Sequence, residues 1–181
     1  MHDVVIVGGA LIGAALARAL DGASLALVSQ ERRVAEPVRP GFDSRVYAIS
    51  PANAAFLEAL GAWRLIPPER VTPVHAMRVF GDDGRSKIEF DAYSTGVSEL
   101  AWIVEDGFLQ DALWRLLGMQ ERLELIAPAE CEAFAASAGG AKVTLRDGRS
   151  IEASLVVGAD GARSFLRKHA GIEARERAYG H

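Results

Sequence analysis

The first thirty residues contain two short apolar runs separated by an alanine-rich segment. Residues 4–7 form a short uninterrupted apolar run rich in β-branched side chains, typical of a strand buried on both faces. Gly8 and Gly9 end this run, and residues 10–20 are an alanine-rich segment of good helix formers. A second apolar run occupies residues 24–29. The pattern predicts a strand, a tight turn, a helix and a second strand, which together make a β-α-β unit in a parallel sheet.

The next segments predict a capped helix and a hairpin. Ser50 is suited to the N-cap position, Pro51 to the first helical position, and Gly61 to the end of the helix. Residues 77–80 and 87–90 alternate around an Asp-Asp-Gly turn, which predicts a β-hairpin. Residues 30–44 predict a polar loop, and Arg45 is expected on a loop just before the helix.

The second half of the chain returns to longer apolar elements. Residues 100–104 predict a strand, and a helix is expected from Asp106 or Gly107 to Leu117. Further short strands are predicted at residues 123–126, 130–136, 142–145 and 151–153. We interpret these strands as an antiparallel excursion inserted between pieces of the parallel sheet. Residues 154–160 then predict a return to a buried parallel strand.

The turn after the first strand carries the first candidate chemistry. It matches the pattern G-x-A-x-x-G, in which Gly8 allows the turn and Gly13 allows close packing of the helix on the strand. The N–H groups at the amino end of the helix can bind a pyrophosphate. Ala10 replaces the second glycine of the pattern, and its methyl group weakens the match. Taken alone, this turn is consistent with two alternatives: a nucleotide-binding site, or a glycine-rich strand–helix connection that binds no ligand.

Two other strand ends carry candidate ligand residues. The end of the second strand in dinucleotide folds normally has an acid that binds the ribose hydroxyls. Here it has Ser29 and Gln30, which are weaker ribose ligands than a carboxylate, and the nearest acid is Glu31. Asp160 and Gly161 follow the last predicted parallel strand. Asp160 can cap the next helix, orient a cofactor, or do both.

Composition and charge narrow the class of protein. The 181 residues are 50% hydrophobic with a formal net charge of −4, which suits a soluble domain, or one domain with part of another. The acidic balance argues against nucleic-acid binding. Cys131 is the only cysteine, so we expect a reducing compartment and no intrachain disulfide. The four histidines lack metal-ligand spacing, and no metal site is predicted.

Three stretches taken together resemble the aromatic-ring flavin hydroxylases, the family that includes para-hydroxybenzoate hydroxylase. They are VVIVGGALIGAALA, DSRVYAISPANAAFLEALGAW and LVVGADGARSFLRK. The pattern DSR-x-x-A-[IL]-S is specific for the ubiquinone-biosynthesis branch of the family, the UbiH/UbiF type. The resemblance covers nearly all of the chain. It implies an α/β fold: an FAD-binding, Rossmann-like parallel sheet of the glutathione-reductase type with an inserted antiparallel β region, present as an incomplete fold.

The resemblance also implies a domain organisation. Residues 1–70 correspond to the FAD-binding β-α-β unit and the following helix, and residues 71–104 to part of a β-rich substrate domain. Residues 105–181 correspond to a return to the FAD-binding domain. A second Gly-Asp motif and the rest of the substrate domain are expected beyond His181. We therefore expect this chain to be the N-terminal portion of a protein about twice its length.

The cofactors implied by the resemblance are FAD, with NAD(P)H as co-substrate, and the site residues follow from the matched motifs. Those expected at the FAD pyrophosphate are Gly8, Gly9, Ala10, Leu11, Ile12 and Gly13. Ser29 and Gln30 are expected at the ribose. Arg45 matches an arginine that reaches FAD in the family. Asp160 and Gly161 match an Asp-Gly pair that the family links to both FAD and NAD(P)H. From spacing alone, an ordinary solvated surface arginine is the favoured interpretation of Arg45. No catalytic side chain is assigned, because the cofactor carries the chemistry.

One further departure from the family pattern concerns the cofactor. Gly107 stands where relatives commonly have an arginine that approaches FAD. Loss of a charge-assisted contact to phosphate costs about 1.5–3 kcal/mol.

Three functions are consistent with these features. The first is an FAD-dependent monooxygenase that hydroxylates a prenylated phenolic ring in ubiquinone biosynthesis, or the N-terminal FAD-binding part of one. The second is a truncated, non-catalytic relative that binds nucleotide weakly or serves as a partner protein. The third, a nicotinamide-dependent dehydrogenase, is disfavoured by the long antiparallel region before the Asp-Gly turn. For the first function we expect a small aromatic substrate and a cytoplasmic location, with peripheral membrane association through the lipid substrate or other biosynthetic proteins.

Overall fold

The computed structural model describes residues 1–33, 41–175 and 177, and these residues contain eleven strands and four α-helices. The strands are β1 (His2–Val7), β2 (Leu25–Val28), β3 (Val46–Ile49), β4 (Val71–Val74), β5 (Ala76–Phe80), β6 (Lys87–Asp91), β7 (Ala101–Glu105), β8 (Leu123–Ile126), β9 (Cys131–Ser137), β10 (Gly140–Leu145) and β11 (Ser150–Gly158). The helices are α1 (Leu11–Ala19), α2 (Pro51–Ala59), α3 (Asp106–Leu117) and α4 (Phe165–His169). Short 3-10 helices occupy Trp63–Leu65, Pro68–Arg70 and Tyr93–Thr95.

The chain divides into two compact units, one formed by residues 1–34 and 117–181 and the other by residues 35–116. These divisions differ from the predicted domain limits after residues 70 and 104. The domain assignment, which follows family resemblance rather than compactness, stays a prediction.

The first unit is built on a six-stranded sheet in the order β8-β2-β1-β11-β10-β9. The four strands from β8 to β11 in this order are parallel, and β10 and β9 continue the sheet in antiparallel fashion. The predicted β-α-β unit is confirmed as β1, α1 and β2. The excursion is confirmed as antiparallel for β9 and β10.

Two predictions about the pairing and the limits of strands in this sheet are wrong. Residues 123–126 were expected in the antiparallel excursion, but β8 pairs in parallel with β2, with Leu25 opposite Leu123. The stretch of chain between β2 and β8 is long enough for the crossover connection that parallel pairing requires. Residues 151–153 and 154–160 were expected as separate strands, but β11 is continuous from Ser150 to Gly158. One edge of β11 pairs with β10 and the other with β1, so the change from antiparallel to parallel pairing needs no break in the chain.

The core of this unit explains the uninterrupted apolar runs of β1 and β2. Every side chain of β2 is buried, and Val5 and Ile6 of β1 have no exposed surface. One face of the sheet contributes to a cluster of ten buried residues: Val5, Val7, Ala26, Val28, Ile126, Val143, Leu145, Ile151, Ala153 and Leu166. Burial on both faces is typical of strands inside a parallel sheet. The predicted burial of residues 154–160 is wrong for the part that lies in β11: no residue from Ser154 to Gly158 is buried, and Leu155 is 55% exposed.

The second unit contains a three-stranded antiparallel sheet in the order β3-β7-β4 and a separate hairpin of β5 and β6. The hairpin is confirmed, as is α2, where the Ser50 hydroxyl accepts a hydrogen bond from the Asn53 N–H at 3.4 Å. The stretch before α2, expected as loop, contains β3. This strand forms because its backbone pairs with β7, a partner more than fifty residues away in sequence.

Among the described residues, no helix is both long enough and apolar enough to cross a membrane. Within the same part of the chain, His, Cys, Asp and Glu side chains form no group of three or more that could hold a metal ion.

Candidate functional site

Three of the predicted site segments lie next to one another where parallel strands of the first unit's sheet end. Gly8 follows β1, Ser29 follows β2 and Asp160 follows β11, and these strands are adjacent and parallel. The N–H of Gly8 donates to the carbonyl of Val28 at 2.8 Å, and the N–H of Ala159 donates to the carbonyl of Val7 at 2.7 Å. The structure therefore brings these segments together at the carboxyl ends of parallel strands, where open α/β sheets bind their ligands.

Gly8 permits a very close approach between the ends of β1 and β11. Its φ is +112°, a conformation that side chains other than glycine rarely adopt. A Cβ on this residue would lie 2.2 Å from the carbonyl oxygen of Ala159 and 2.8 Å from the backbone nitrogen of Asp160. The glycine turn and the Asp-Gly turn are thus in direct backbone contact, although about 150 residues separate them.

Gly13 packs α1 directly on the glycine turn. A Cβ at this position would lie 1.8 Å from the carbonyl oxygen of Gly8 and 3.2 Å from the Cβ of Ala159. The helix can approach the turn this closely only because residue 13 has no side chain. This contact is the role that the glycine pattern assigns to its last glycine.

The amino end of α1 is suited to an anionic group. Ala10 is its N-cap residue, with extended backbone (φ −74°, ψ −175°), and its methyl side chain offers no hydrogen-bond acceptor to the helix. The first-turn N–H groups of Leu11, Ile12 and Gly13 have no partner within an α-helix, and this turn contains no acidic residue. Gly9, just before the N-cap, is buried, whereas Ala10 and Ile12 are exposed. The exposed, positively polarised helix end fits the diphosphate of a dinucleotide such as FAD.

The end of β2 offers only a weak ribose ligand. Ser29 is buried, and its hydroxyl donates to the carbonyl of Glu31 at 2.7 Å. Because the hydroxyl proton is used in this turn, Ser29 can serve a ribose only as an acceptor. Gln30 is exposed.

Asp160 forms the capping contacts that its sequence position allows. One carboxylate oxygen accepts from the Ser164 hydroxyl at 2.5 Å and the other from the Leu166 N–H at 3.1 Å. The Ser164 hydroxyl in turn accepts from the Arg167 N–H at 2.9 Å, which completes the cap of α4. Gly161 has a φ of +80°, which explains a glycine at this turn. Contact of Asp160 and Gly161 with a cofactor stays a prediction.

Sequence reasoning missed a relationship between Asp160 and Cys131. The Cys131 thiol is half-buried, and burial together with the negative charge of Asp160 raises its pKa from 9.0 to about 11. The thiol is therefore neutral at physiological pH and is a poor nucleophile.

Arg45 belongs to the second unit and is exposed. Its N–H donates to a carboxylate oxygen of Asp43 at 3.3 Å, and its carbonyl accepts from the Asp106 N–H at 3.0 Å. Gly107 is buried, and its N–H donates to the other carboxylate oxygen of Asp43 at 3.1 Å. The action of Arg45 on FAD stays a prediction.

The second unit also contains a buried charged network that the sequence did not reveal. Glu105 accepts from the Asp43 N–H and from the Arg70 guanidinium, the latter at 3.0 Å. Arg70 also donates to the carbonyl of Gly41 at 2.7 Å, and its guanidinium carbon lies 4.8 Å from the centre of the Phe42 ring. These partners are 28 to 62 positions apart in sequence, and no local pattern signals such contacts.

Comparison with known proteins identifies relatives over nearly the whole chain. The family model described as "FAD binding domain" matches residues 1–180. The ubiquinone hydroxylase UbiL of Rhodospirillum rubrum is 37% identical over 98% of this chain, and the 3-demethoxyubiquinol 3-hydroxylase of Escherichia coli is 33% identical over 94%. The chain covers 41% and 44% of the lengths of these two proteins.

A solved structure is similar over the same range. PqsL of Pseudomonas aeruginosa, described as a probable FAD-dependent monooxygenase, superimposes with a TM-score of 0.78 at 26% identity. The match covers 98% of this chain and 48% of PqsL. The expected fold, a mostly parallel α/β sheet with an antiparallel region, is confirmed. Because the family match extends over the glycine turn, the Asp-Gly turn and everything between them, this chain belongs to the FAD-binding domain family.

Proposed function

We propose that this chain is the FAD-binding part of a monooxygenase that hydroxylates a phenolic ring in ubiquinone biosynthesis, with NAD(P)H as reductant and O₂ as oxygen source. The observation that carries the proposal is the backbone contact between the Gly8 turn and the Asp160 turn, at the carboxyl ends of β1 and β11. The similarity to two ubiquinone hydroxylases supports the choice of substrate class.

The residues of this chain would bind and orient the cofactor. The first-turn N–H groups of α1 hold the diphosphate, and Ser29 accepts a hydrogen bond from a ribose hydroxyl. Arg45 supplies a positive charge to the cofactor, as the family resemblance implies. Asp160 keeps the turn after β11 in the shape that meets Gly8. Bound FAD supplies the oxygen-transfer chemistry, which amino-acid side chains cannot perform.

Titration of the purified chain with FAD tests the proposal. We expect saturable binding seen as a change in flavin fluorescence, and release of intact FAD on denaturation. The Gly13→Ala variant should lose this binding, since the added methyl group displaces α1 from the turn. Absence of saturable FAD binding by the wild-type chain would refute the proposal. Formation of a product with one added oxygen from a prenylated phenol, by the full-length protein with NAD(P)H, tests the reaction.

A second candidate function is a non-catalytic relative that binds nucleotide weakly. It is favoured by Ser29, whose hydroxyl proton is used by Glu31, and by Gly107, where relatives commonly carry an arginine. FAD binding without any hydroxylated product from the full-length protein would select this candidate.

For the monooxygenase we also propose a cytoplasmic location with peripheral attachment to the membrane that holds its prenylated substrate. Fractionation of cells that express the tagged full-length protein, with and without a high-salt wash, tests this proposal.

A further inference from the structure

Positive charge is concentrated in one segment of the first unit. Residues 163–177 hold four arginines, one lysine and two glutamates, although the whole chain has a formal net charge of −4. We call residues 163–177 the basic segment, and the structure describes all of it except residue 176. Its five Lys and Arg residues are exposed apart from the half-buried Arg167.

The first part of the basic segment is held firmly on the sheet. The Ser164 hydroxyl accepts from the Arg167 N–H at 2.9 Å at the start of α4. At the other end, Gly171 has a φ of +70° and the N–H of Ile172 donates to the carbonyl of Arg167 at 3.0 Å. Leu166 attaches the helix to the buried core cluster. The cations near α4 therefore project from a defined backbone.

These cations are not used in ion pairs inside the described part of the chain. None of the five side chains pairs with another described residue. Elsewhere in the first unit, Arg146 pairs with Glu130 at 2.8 Å, and Arg149 pairs with Asp147 at 2.7 Å. Asp160, the acid that precedes the segment, is engaged in the cap of α4. The positive charge of the segment is thus available to an anionic partner.

Stabilisation of α4 does not account for this charge. Arg167 and Lys168 lie in the last turn, where cations interact favourably with the helix dipole. Arg163, however, precedes the amino end of the helix, where the dipole disfavours a cation. Arg175 lies beyond the helix altogether. The excess of cations on both sides of the helix therefore indicates a partner outside this unit.

An exposed aliphatic side chain lies among the cations and indicates the chemistry of that partner. Ile172 is 62% exposed and stands between Lys168 and Arg175 in the segment. Clusters of lysine and arginine are the pattern that binds anionic lipid headgroups. Apolar side chains next to such cations are typical of segments that lie at the boundary between headgroups and acyl chains. A lipid surface uses both features, whereas a purely polar anion uses only the charge.

We propose that the basic segment docks the protein on an anionic phospholipid surface. Its guanidinium and ammonium groups lie at the headgroup phosphates, and Ile172 lies at the boundary with the acyl chains. This inference deepens the proposed membrane attachment and rests on that part of the proposed function for its purpose. Lipid binding itself requires neither FAD nor substrate.

Co-sedimentation of the purified chain with vesicles tests the docking surface. Vesicles of phosphatidylglycerol and phosphatidylcholine in equal parts are compared with vesicles of phosphatidylcholine alone. We expect binding to the anionic vesicles only, and release at high salt, because salt screens exposed charges. Lys168→Gln combined with Arg175→Gln should weaken binding by about tenfold or more, since each removes one cation from the surface. Absence of binding to the anionic vesicles would overturn the proposal.

Lys142→Gln combined with Arg146→Gln is the matched control. It removes the same two charges from exposed positions of the first unit that lie outside the basic segment. This variant should bind the anionic vesicles within about twofold of the wild type. Equal weakening by the two double variants would overturn the docking surface, because net charge alone would then explain the binding.

Ile172→Ser tests the apolar contact separately. Because the side chain is exposed, this change should leave the urea unfolding midpoint of the chain unchanged. It should weaken binding to the anionic vesicles by about threefold or more. An unchanged affinity would overturn the placement of Ile172 at the acyl-chain boundary.

Soluble phosphate is the other source of the same anionic chemistry. Calorimetric titration with inorganic pyrophosphate distinguishes it: pyrophosphate binding that the Lys168 and Arg175 double variant loses, without vesicle binding by the wild type, would overturn the lipid assignment. FAD titration of the same proteins without vesicles separates this inference from the proposed function. Vesicle binding without FAD binding would refute the proposed function and support the docking surface, and FAD binding without vesicle binding would do the reverse.

Discussion

The carbonyl oxygen of Gly8 lies 1.8 Å from the place where a Cβ on Gly13 would be, so the turn and the helix are in van der Waals contact through backbone alone. This contact determines where the amino end of α1 points. Since Gly8 also meets Ala159, three segments of backbone converge on one small volume. A diphosphate site made of N–H groups depends on such convergence, because backbone groups cannot change rotamer to reach a ligand.

The first prediction follows from that distance. Gly13→Ala should destabilise the chain by about 2–4 kcal/mol, since overpacking against backbone cannot be relieved by a side-chain rotation. FAD binding should be lost even under conditions in which the variant is folded. Urea unfolding and FAD titration measure the two effects.

Gly139→Ala is the matched control for Gly13→Ala. A Cβ at residue 139 would have only the Ser137 hydroxyl oxygen near it, at 3.9 Å. This variant should unfold at the wild-type urea concentration within experimental error and bind FAD normally. Wild-type FAD affinity in Gly13→Ala would contradict the site at α1.

The predictable part of this fold is the part whose signals are local. The glycine turn with β1 and α1, and the cap of α2 at Ser50, depend on residues within a few positions of each other. The backbone conformation that each residue type allows therefore carries the information. The candidate anion site could be located from the sequence for the same reason.

The features that could not be predicted depend on distant partners. Residues 46–49 form a strand because β7 is available to pair with them, and residues 123–126 join the parallel sheet because β2 offers a free edge. The same holds for the ion pair of Arg70 with Glu105. One sequence shows which residues are present, but not which of them meet across the fold.

A second prediction concerns Ala10, the departure from the glycine pattern. Its φ of −74° suits any residue, and its side chain is exposed at the N-cap of α1. Ala10→Gly removes a methyl group from the expected position of the phosphate and is favourable at an N-cap, where glycine ranks above alanine. We expect FAD binding to tighten by about threefold to tenfold, with stability unchanged or slightly raised.

Ala10→Val provides the opposite change at the same position and should weaken FAD binding. If both variants bind FAD as the wild type does, residue 10 is not close to the phosphate. Isothermal titration calorimetry of the three proteins in one buffer gives the comparison.

The third prediction concerns Asp160, which holds the turn after β11. Asp160→Ala removes the acceptor of both the Ser164 hydroxyl and the Leu166 N–H. The free energy of unfolding should fall by about 2–3 kcal/mol, whereas Asp160→Asn, which keeps one acceptor, should lose about 1 kcal/mol. Asp147→Ala, in the exposed turn between β10 and β11, is the comparison and should cost less than either. Equal unfolding midpoints for all four proteins would show that the Asp160 contacts do not stabilise the fold.

The last prediction uses the Cys131 thiol, whose pKa is raised from 9.0 to about 11 by burial and by the charge of Asp160. The unfolded chain releases the thiol proton near pH 9, while the folded chain retains it until about pH 11. Between these values the unfolded state binds fewer protons, so stability falls as pH rises. This contribution is fully present below pH 9 and is lost as pH increases through the folded pKa.

Tyrosine and lysine side chains also titrate in this range, so the informative quantity is a difference between two proteins. Urea unfolding at a series of pH values from 8 to 10.5 should show a steeper loss of stability for the wild type than for Cys131→Ala. Asp160→Asn should reduce the steepness in part, because the thiol then loses one of the two causes of its raised pKa. Alkylation by iodoacetamide should be slow at pH 8 for the wild type and faster for Asp160→Asn. Parallel pH curves for the wild type and Cys131→Ala would show that the thiol ionises equally in the folded and unfolded chains, contrary to a pKa raised by burial and by the charge of Asp160.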